Sequence, residues 1–272
     1  MHPFAQSLAT TDVRVTTSYD EHDFGVTLYS VLHEFGHGLY ESQIDPALMR
    51  TPLGEAVSLG VHESQSRMWE NLVGRSRPFT RWLHGRLGEL LPGGFDGVDP
   101  TELYRAVNTV QPSLIRIEAD ETTYNLHIVL RFELELALIE GTLSVDDAPA
   151  AWDEGMQRLL GVEVPGPVQG ILQDIHWSSG LIGYFPTYTI GNLMSAQLWQ
   201  RIRADLPELD EQLERGDFAQ PTVDGGDGHR DLRLPAPALG PDRQAALLQL
   251  RPPDRRPVGR ADHRPDHGPR GR

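Results

Sequence analysis

Two histidines four residues apart, in the stretch HEFGH at residues 33–37, constrain this chain more than any other feature. Around them, in DFGVTLYSVLHEFGHGLYE, apolar side chains recur at Phe24, Leu28, Val31, Leu32, Phe35 and Leu39, a spacing that predicts a helix over about residues 23–41. On such a helix His33 and His37 share one face, one turn apart, where two imidazole nitrogens can reach a single Zn²⁺ at about 2.0–2.1 Å. Glu34 stands one step round. From there a carboxylate can take a proton from water activated by the ion rather than bind the ion itself. Gly36 and Gly38 cost helix propensity, so a second backbone or a substrate is expected to pass close by.

The pattern alone is weak, because it arises by chance in roughly a few per cent of sequences of this length and composition. A histidine pair packed in a core would read the same way. What defines a site is a third donor, and Glu63 in GVHESQSRMWENLVGR supplies one, 26 residues beyond His37. The segment 54–73 carries apolar residues at Ala56, Val57, Leu59, Val61, Met68, Trp69, Leu72 and Val73, and the turn signal DPALMRTPLG separates it from the first helix. Two antiparallel helices so joined can set one carboxylate opposite the histidine pair, leaving a fourth position open for water. The neighbouring His62 points about 100° away round the helix, so Glu63 is the expected ligand and His62 an outer or substrate-side residue.

Composition narrows the remaining choices. The chain of 272 residues has no cysteine, so any metal site must use imidazole and carboxylate. No apolar run approaches the roughly 20 residues that span a bilayer, and MHPFAQSLAT has no basic region leading into an apolar one. The expectation is a cytoplasmic protein with no membrane partner. A net charge of −15 argues against a nucleic-acid partner. That charge is uneven: residues 1–218 carry −18, whereas residues 219–272 carry +3, lack aromatic side chains, and hold 9 of the 21 prolines. A segment with so little to bury cannot offset the entropy of folding, so residues 219–272 are expected to be a disordered tail, apart from a short helix near residues 244–250.

Elsewhere the reading is helical. Residues 12–17 alternate as a short strand. Asp99, Pro100 and Glu102 form a capped helix start, with Pro112 ending that helix. Further helices are expected over residues 113–139, over 145–160 with Ser144 as cap, and over 191–206, with a Gly/Pro-rich loop at 161–170.

HEFGHGLYE followed by TPLGEAVSLGVHESQSRMWEN resembles the carboxypeptidase Taq family of zinc metallocarboxypeptidases, and DVRVT, IRIEAD and GILQDIHW match further signatures in the family's order. The blocks cover residues 1 to about 218. The resemblance implies a mainly α, zincin-like metallopeptidase core with a small sheet near the site. It implies Zn²⁺, or Co²⁺ or Mn²⁺ in its place, held by His33, His37 and Glu63, with Glu34 as general base. The expected reaction is removal of single residues from peptide C-termini, and the expected assembly a homodimer. Such an enzyme needs a cation for the substrate's α-carboxylate, and Arg116 in IRIEAD is the candidate because its planar fork suits a carboxylate. An internal salt bridge from Arg116 to Glu118, Asp120 or another carboxylate is the competing reading. His176 and Tyr184 are candidate donors to the oxyanion, against core packing among Trp177, Leu181, Ile182 and Phe185. Asp12 and Arg14, on one strand face, are expected to form a structural ion pair. The family carries a long helical region ahead of the DxRxT block, and its later helix is replaced here after Phe218 by Arg-, Pro- and Gly-rich sequence. The expectation is therefore a catalytic core of a longer enzyme with a frameshifted tail, and the alternative to an active enzyme is an inactive fragment that binds metal or a partner subunit.

Overall fold

The computed structural model describes residues 4–9, 12–17, 23–56 and 58–218. The tail expected to be disordered, with its short helix, lies outside these residues. Strands β1 (Phe4–Ala9) and β2 (Asp12–Thr16) pair antiparallel, Phe4 opposite Thr16 and Ser7 opposite Val13. Neither strand buries a residue fully. The expected ion pair is present on β2, with Arg14 Nε donating to Asp12 Oδ1 at 2.9 Å.

Helix α1 (Phe24–Ser42) begins where Asp23 Oδ1 accepts the amides of Gly25 and Val26, the capping expected of an Asp before an apolar-periodic run. Helix α2 (Leu59–Arg67) starts later than its apolar pattern implies, because Pro52–Gly54 closes a separate short turn and Ser58 supplies the cap. It runs directly into a π-helical turn, Met68–Val73. The costly glycines of α1 sit where neighbours come closest. A Cβ on Gly36 would lie 2.5 Å from the Gln65 carbonyl oxygen and 2.6 Å from Ser66 Cα, and one on Gly38 would lie 3.2 Å from Val13 of β2. Glycine is what lets α1 and α2 cross in contact.

Helices α3 (Arg77–Leu90), α4 (Pro100–Val107), α5 (Tyr124–Ile139), α6 (Ala148–Leu160), α7 (Pro186–Asp205) and α8 (Leu209–Arg215) complete the described fold. The capping box at Asp99 and Glu102 is formed as expected. Helix α4 stops five residues before Pro112, since Asn108 Nδ2 donates to the Tyr104 carbonyl and competes with the next helical turn. One expected helix is shorter: α5 begins at Tyr124, not 113. The intervening backbone is pulled out of helix because the Arg116 amide donates to Gln173 Oε1 and Asp120 Oδ1 takes the amides of Thr122 and Thr123. Likewise α6 starts at Ala148, with Ser144 bonded to Asp147 instead of capping a helix at 145. Met68, Trp69 and Val73 pack with Phe79, Leu83, Leu103, Ile202 and Leu213 in one core, and Leu130 and Leu134 with Trp152, Met156 and Leu160 in another. No helix among the described residues is long and apolar enough to cross a membrane.

Candidate metal centre and its cleft

Helix spacing puts His33 and His37 one turn apart on α1, and their Nε2 atoms lie 3.2 Å from each other. Glu63 arrives from α2, its Oε2 3.6 Å from His37 Nε2, and one donor atom from each of the three lies within 4.8 Å of the others. A tetrahedral ion with ligands at about 2.0–2.1 Å sets its donors about 3.3 Å apart, so the gap is of ionic size. Glu63 is 5% exposed and its Oε1 has no hydrogen-bond partner. A buried carboxylate oxygen left unpaired is costly, and a cation at this point removes the cost. The residues therefore fit a divalent ion. Glu63 is braced from behind by α7, where a Cβ on Gly191 would come within 2.8 Å of its Cγ.

Each histidine is also held at its other nitrogen. His33 Nδ1 is 2.9 Å from Glu70 Oε2, which also accepts from Arg67 Nη1 at 2.8 Å. His37 Nδ1 is 2.5 Å from His62 Nδ1, and His62 Nε2 is 2.8 Å from Glu41 Oε1. Burial and the neighbouring His33 and His62 push His37 down to about 2, which keeps it neutral and able to ligate. Burial would depress His33 as well, but the Glu63 and Glu70 carboxylates outweigh it and raise its pKa. The field at this point therefore favours positive charge. Glu70 stays ionised, since Arg67 and His33 overcome its burial and bring it to about 2.

His33, His37, His62, Glu63, Arg67, Glu70 and the buried Glu34 line a cleft of about 1550 Å³ that is also lined by Arg116, Tyr184 and Tyr188. Arg116 is buried and gripped by Asp174, at 2.6 Å from Nη2 and 3.1 Å from Nε, while its Nη1 donates to the Tyr124 hydroxyl at 2.9 Å. Its salt bridge is thus with Asp174, and neither Glu118 nor Asp120 is the partner. Arg131 holds the other oxygen of Asp174 at 2.6 Å. Burial would raise Asp174, yet the two guanidinium groups lower it to about 2. Tyr184 lies on the cleft wall. His176 stands one layer back, its Nε2 2.9 Å from the hydroxyl of Tyr188 and its ring against Phe185.

Sequence reasoning gave the three donors and Glu34 but did not single out Glu41, Glu70, Asp174 or Tyr188. Two of these were signalled by spacing. Glu41 follows His37 by four residues and Glu70 follows Glu63 by seven, both same-face intervals on a helix. Nothing in the sequence signalled that the helix would loosen into a π turn at Met68, the kind of irregularity that gathers at functional sites.

A helical scaffold that brings an HExxH pair and a glutamate from the next helix around one ion-sized gap defines the class, that of a metallopeptidase fold. The chain belongs to the carboxypeptidase Taq (M32) metallopeptidase family, whose profile matches residues 1–222. It is 51% identical over 223 residues to thermostable carboxypeptidase 1 of Thermus thermophilus and 48% identical over 217 residues to that of Pyrococcus furiosus, covering 82% and 80% of this chain and 43% of each relative. Among solved structures, the M32 carboxypeptidase from Deinococcus radiodurans R1 superposes with a TM-score of 0.77 at 51% identity, over 80% of this chain and 44% of that one. The chain therefore spans less than half the length of the relatives it matches. Membership of a metallopeptidase family implies a divalent metal, in agreement with the donor set.

Proposed function

We propose that the chain carries the hydrolytic centre of a zinc-dependent metallocarboxypeptidase that releases C-terminal residues from peptides. The observation that carries this reading is the unpartnered, buried Oε1 of Glu63 beside two histidine Nε2 atoms presented to the same gap. His33, His37 and Glu63 hold the ion. Bound there, Zn²⁺, or Co²⁺ or Mn²⁺ in its place, supplies Lewis acidity that polarises the scissile carbonyl and acidifies water. Glu34 takes the proton of the attacking water and returns it to the leaving amine. Arg116 receives the α-carboxylate. Two guanidinium groups on the single carboxylate of Asp174 leave one formal positive charge, and Arg116 is the member of the pair that lines the cleft. Tyr184 donates to the oxyanion from the cleft wall, while His176 contributes through the Tyr188 hydroxyl it orients. The homodimeric state and the cytoplasmic setting belong to the same reading and rest on the resemblance and the composition alone.

The decisive variant is Glu34→Gln. In a C-terminal residue release assay its turnover should fall by about 10²–10⁴-fold with bound zinc unchanged, and retention of most activity would remove Glu34 from this role. A peptide amidated at its C-terminus should resist release, whereas an endopeptidase would cut it. The second reading is an inactive fragment that binds metal or a partner subunit. Cooperative unfolding that moves to lower temperature with chelator, together with measurable release, supports the enzyme. Metal-dependent unfolding without release supports the fragment.

A further inference from the structure

The two histidines of the metal centre are buttressed in different ways, and the difference carries an inference that rests on the zinc-site reading above. Behind His33 stands a buried ion pair: Glu70, 15% exposed at its side chain, accepts from His33 Nδ1 and from Arg67, and Arg67 is fixed in turn by Asn192 Oδ1 at 2.9 Å and by the Tyr124 ring 4.2 Å beneath it. Behind His37 stands a second histidine: His62 Nδ1 at 2.5 Å, then Glu41 at 2.8 Å from His62 Nε2. A ring that gives its Nε2 lone pair to a metal must carry its proton on Nδ1. His33 then donates Nδ1–H to Glu70. His37 donates Nδ1–H to His62 Nδ1, which leaves the His62 proton on Nε2, where Glu41 accepts it. Both chains of donors run outward from the ion and end on a carboxylate, and both hold each ring in the orientation that presents Nε2.

We propose that Glu70 and the His62–Glu41 pair are metal-positioning residues, fixing the tautomer and the aim of His33 and His37 respectively and thereby setting the affinity for the ion. None of the three touches the reacting atoms in this account. Partners of this kind, when removed, typically cost 10–100-fold in metal affinity. The His62–Glu41 arm separates positioning from folding better than the other, because Glu41 makes one described side-chain bond and lies at the end of α1, whereas loss of Glu70 also strips a buried arginine of its counter-ion.

The test is the Zn²⁺ dissociation constant of the full chain, measured by competition with a chromogenic chelator, for the unsubstituted protein and for Glu41→Gln, His62→Gln and Glu70→Gln. The expected result is one equivalent bound by the unsubstituted chain and a 10–100-fold weaker constant in each variant, with the metal-free unfolding midpoint of Glu41→Gln unchanged. A second readout that a merely structural role would not move is the ring ¹⁵N NMR of the Zn²⁺-loaded chain, where His33 and His37 should be protonated on Nδ1 and His62 on Nε2. Tight binding by the unsubstituted chain with Glu41→Gln and His62→Gln within twofold of it, or the opposite tautomers, overturns the inference and leaves the zinc site standing. Failure of the unsubstituted chain to bind Zn²⁺ overturns both.

Discussion

Two clusters of buried charge face the same cleft, and they are built on opposite accounts. Around His33 and His37 the acids outnumber the bases: Glu34, Glu41, Glu63 and Glu70 stand against Arg67 and Arg75, a formal charge of −2 with the imidazoles neutral, and one oxygen of Glu63 has no hydrogen-bond partner. Around Asp174 the bases outnumber the acid, Arg116 and Arg131 sharing one carboxylate whose two oxygens are both taken. Among the described residues the first cluster therefore carries acid in excess and the second base in excess. Since a buried charge is retained only where something compensates it, the difference points to what each cluster meets in use. In the proposed function a divalent ion meets the first cluster and the α-carboxylate of a peptide the second.

The largest effect that would break this comparison is loss of the ion. Glu63→Ala or His37→Ala should abolish stoichiometric zinc by elemental analysis, because two remaining donors bind zinc weakly; unchanged metal content would mean that the first cluster is not a metal site. Next in size, Asp174→Asn leaves two buried arginines facing each other and should cost about 3–5 kcal/mol in denaturant unfolding. A loss below about 1 kcal/mol would show that the arginines do not depend on Asp174. The same pair has an acid signature. Asp174 is ordinarily ionised above about 3.8 and is lowered to about 2 in the fold, so its contribution is fully present above pH 3.8 and is lost as the pH falls through about 2. The size is about 2 kcal/mol, and Asp174→Asn should flatten that part of the stability profile. Smallest is Gly36→Ala, which forces α1 away from α2 and should cost about 1–3 kcal/mol, with weaker metal binding as Glu63 retreats from the histidines. An alanine tolerated in both assays would show that the close crossing is not what sets the site.

His33, His37, Glu34, Glu63 and, through the resemblance, Arg116 were legible in the sequence, whereas the partners around them, Arg67 and Glu70 on one side and Asp174 and Arg131 on the other, were not, for a physical reason. His33, His37 and Glu34 lie on one helix, where fixed spacing translates into fixed geometry, and Glu63 comes from the next helix across a short turn. Gly36 announced the crossing because its cost in helix propensity needed a purpose. Arg116, Asp174 and Arg131 come from a short 3₁₀ turn, a loop and α5, separated by up to 58 residues, so no periodicity links them. Their assembly even disguised local structure: the bond from the Arg116 amide to Gln173 Oε1 draws the backbone out of the helix expected over residues 113–139. Helices α3 and α8 went unread, although Ser76 and Pro78 mark the start of α3 plainly. Strand β1 gave no signal because its half-buried positions are the small residues Ala5, Ser7 and Ala9 while Phe4 and Leu8 are exposed, so no apolar–polar alternation marks the inward face.

The central claim is that His33, His37 and Glu63 close on one ion, and X-ray absorption at the zinc edge of the metal-loaded chain tests it most directly. The account predicts two imidazole nitrogens at about 2.0–2.1 Å, with their ring scattering, and carboxylate oxygen at about 2.0–2.2 Å. A shell of oxygens alone, with no imidazole signature, would contradict it.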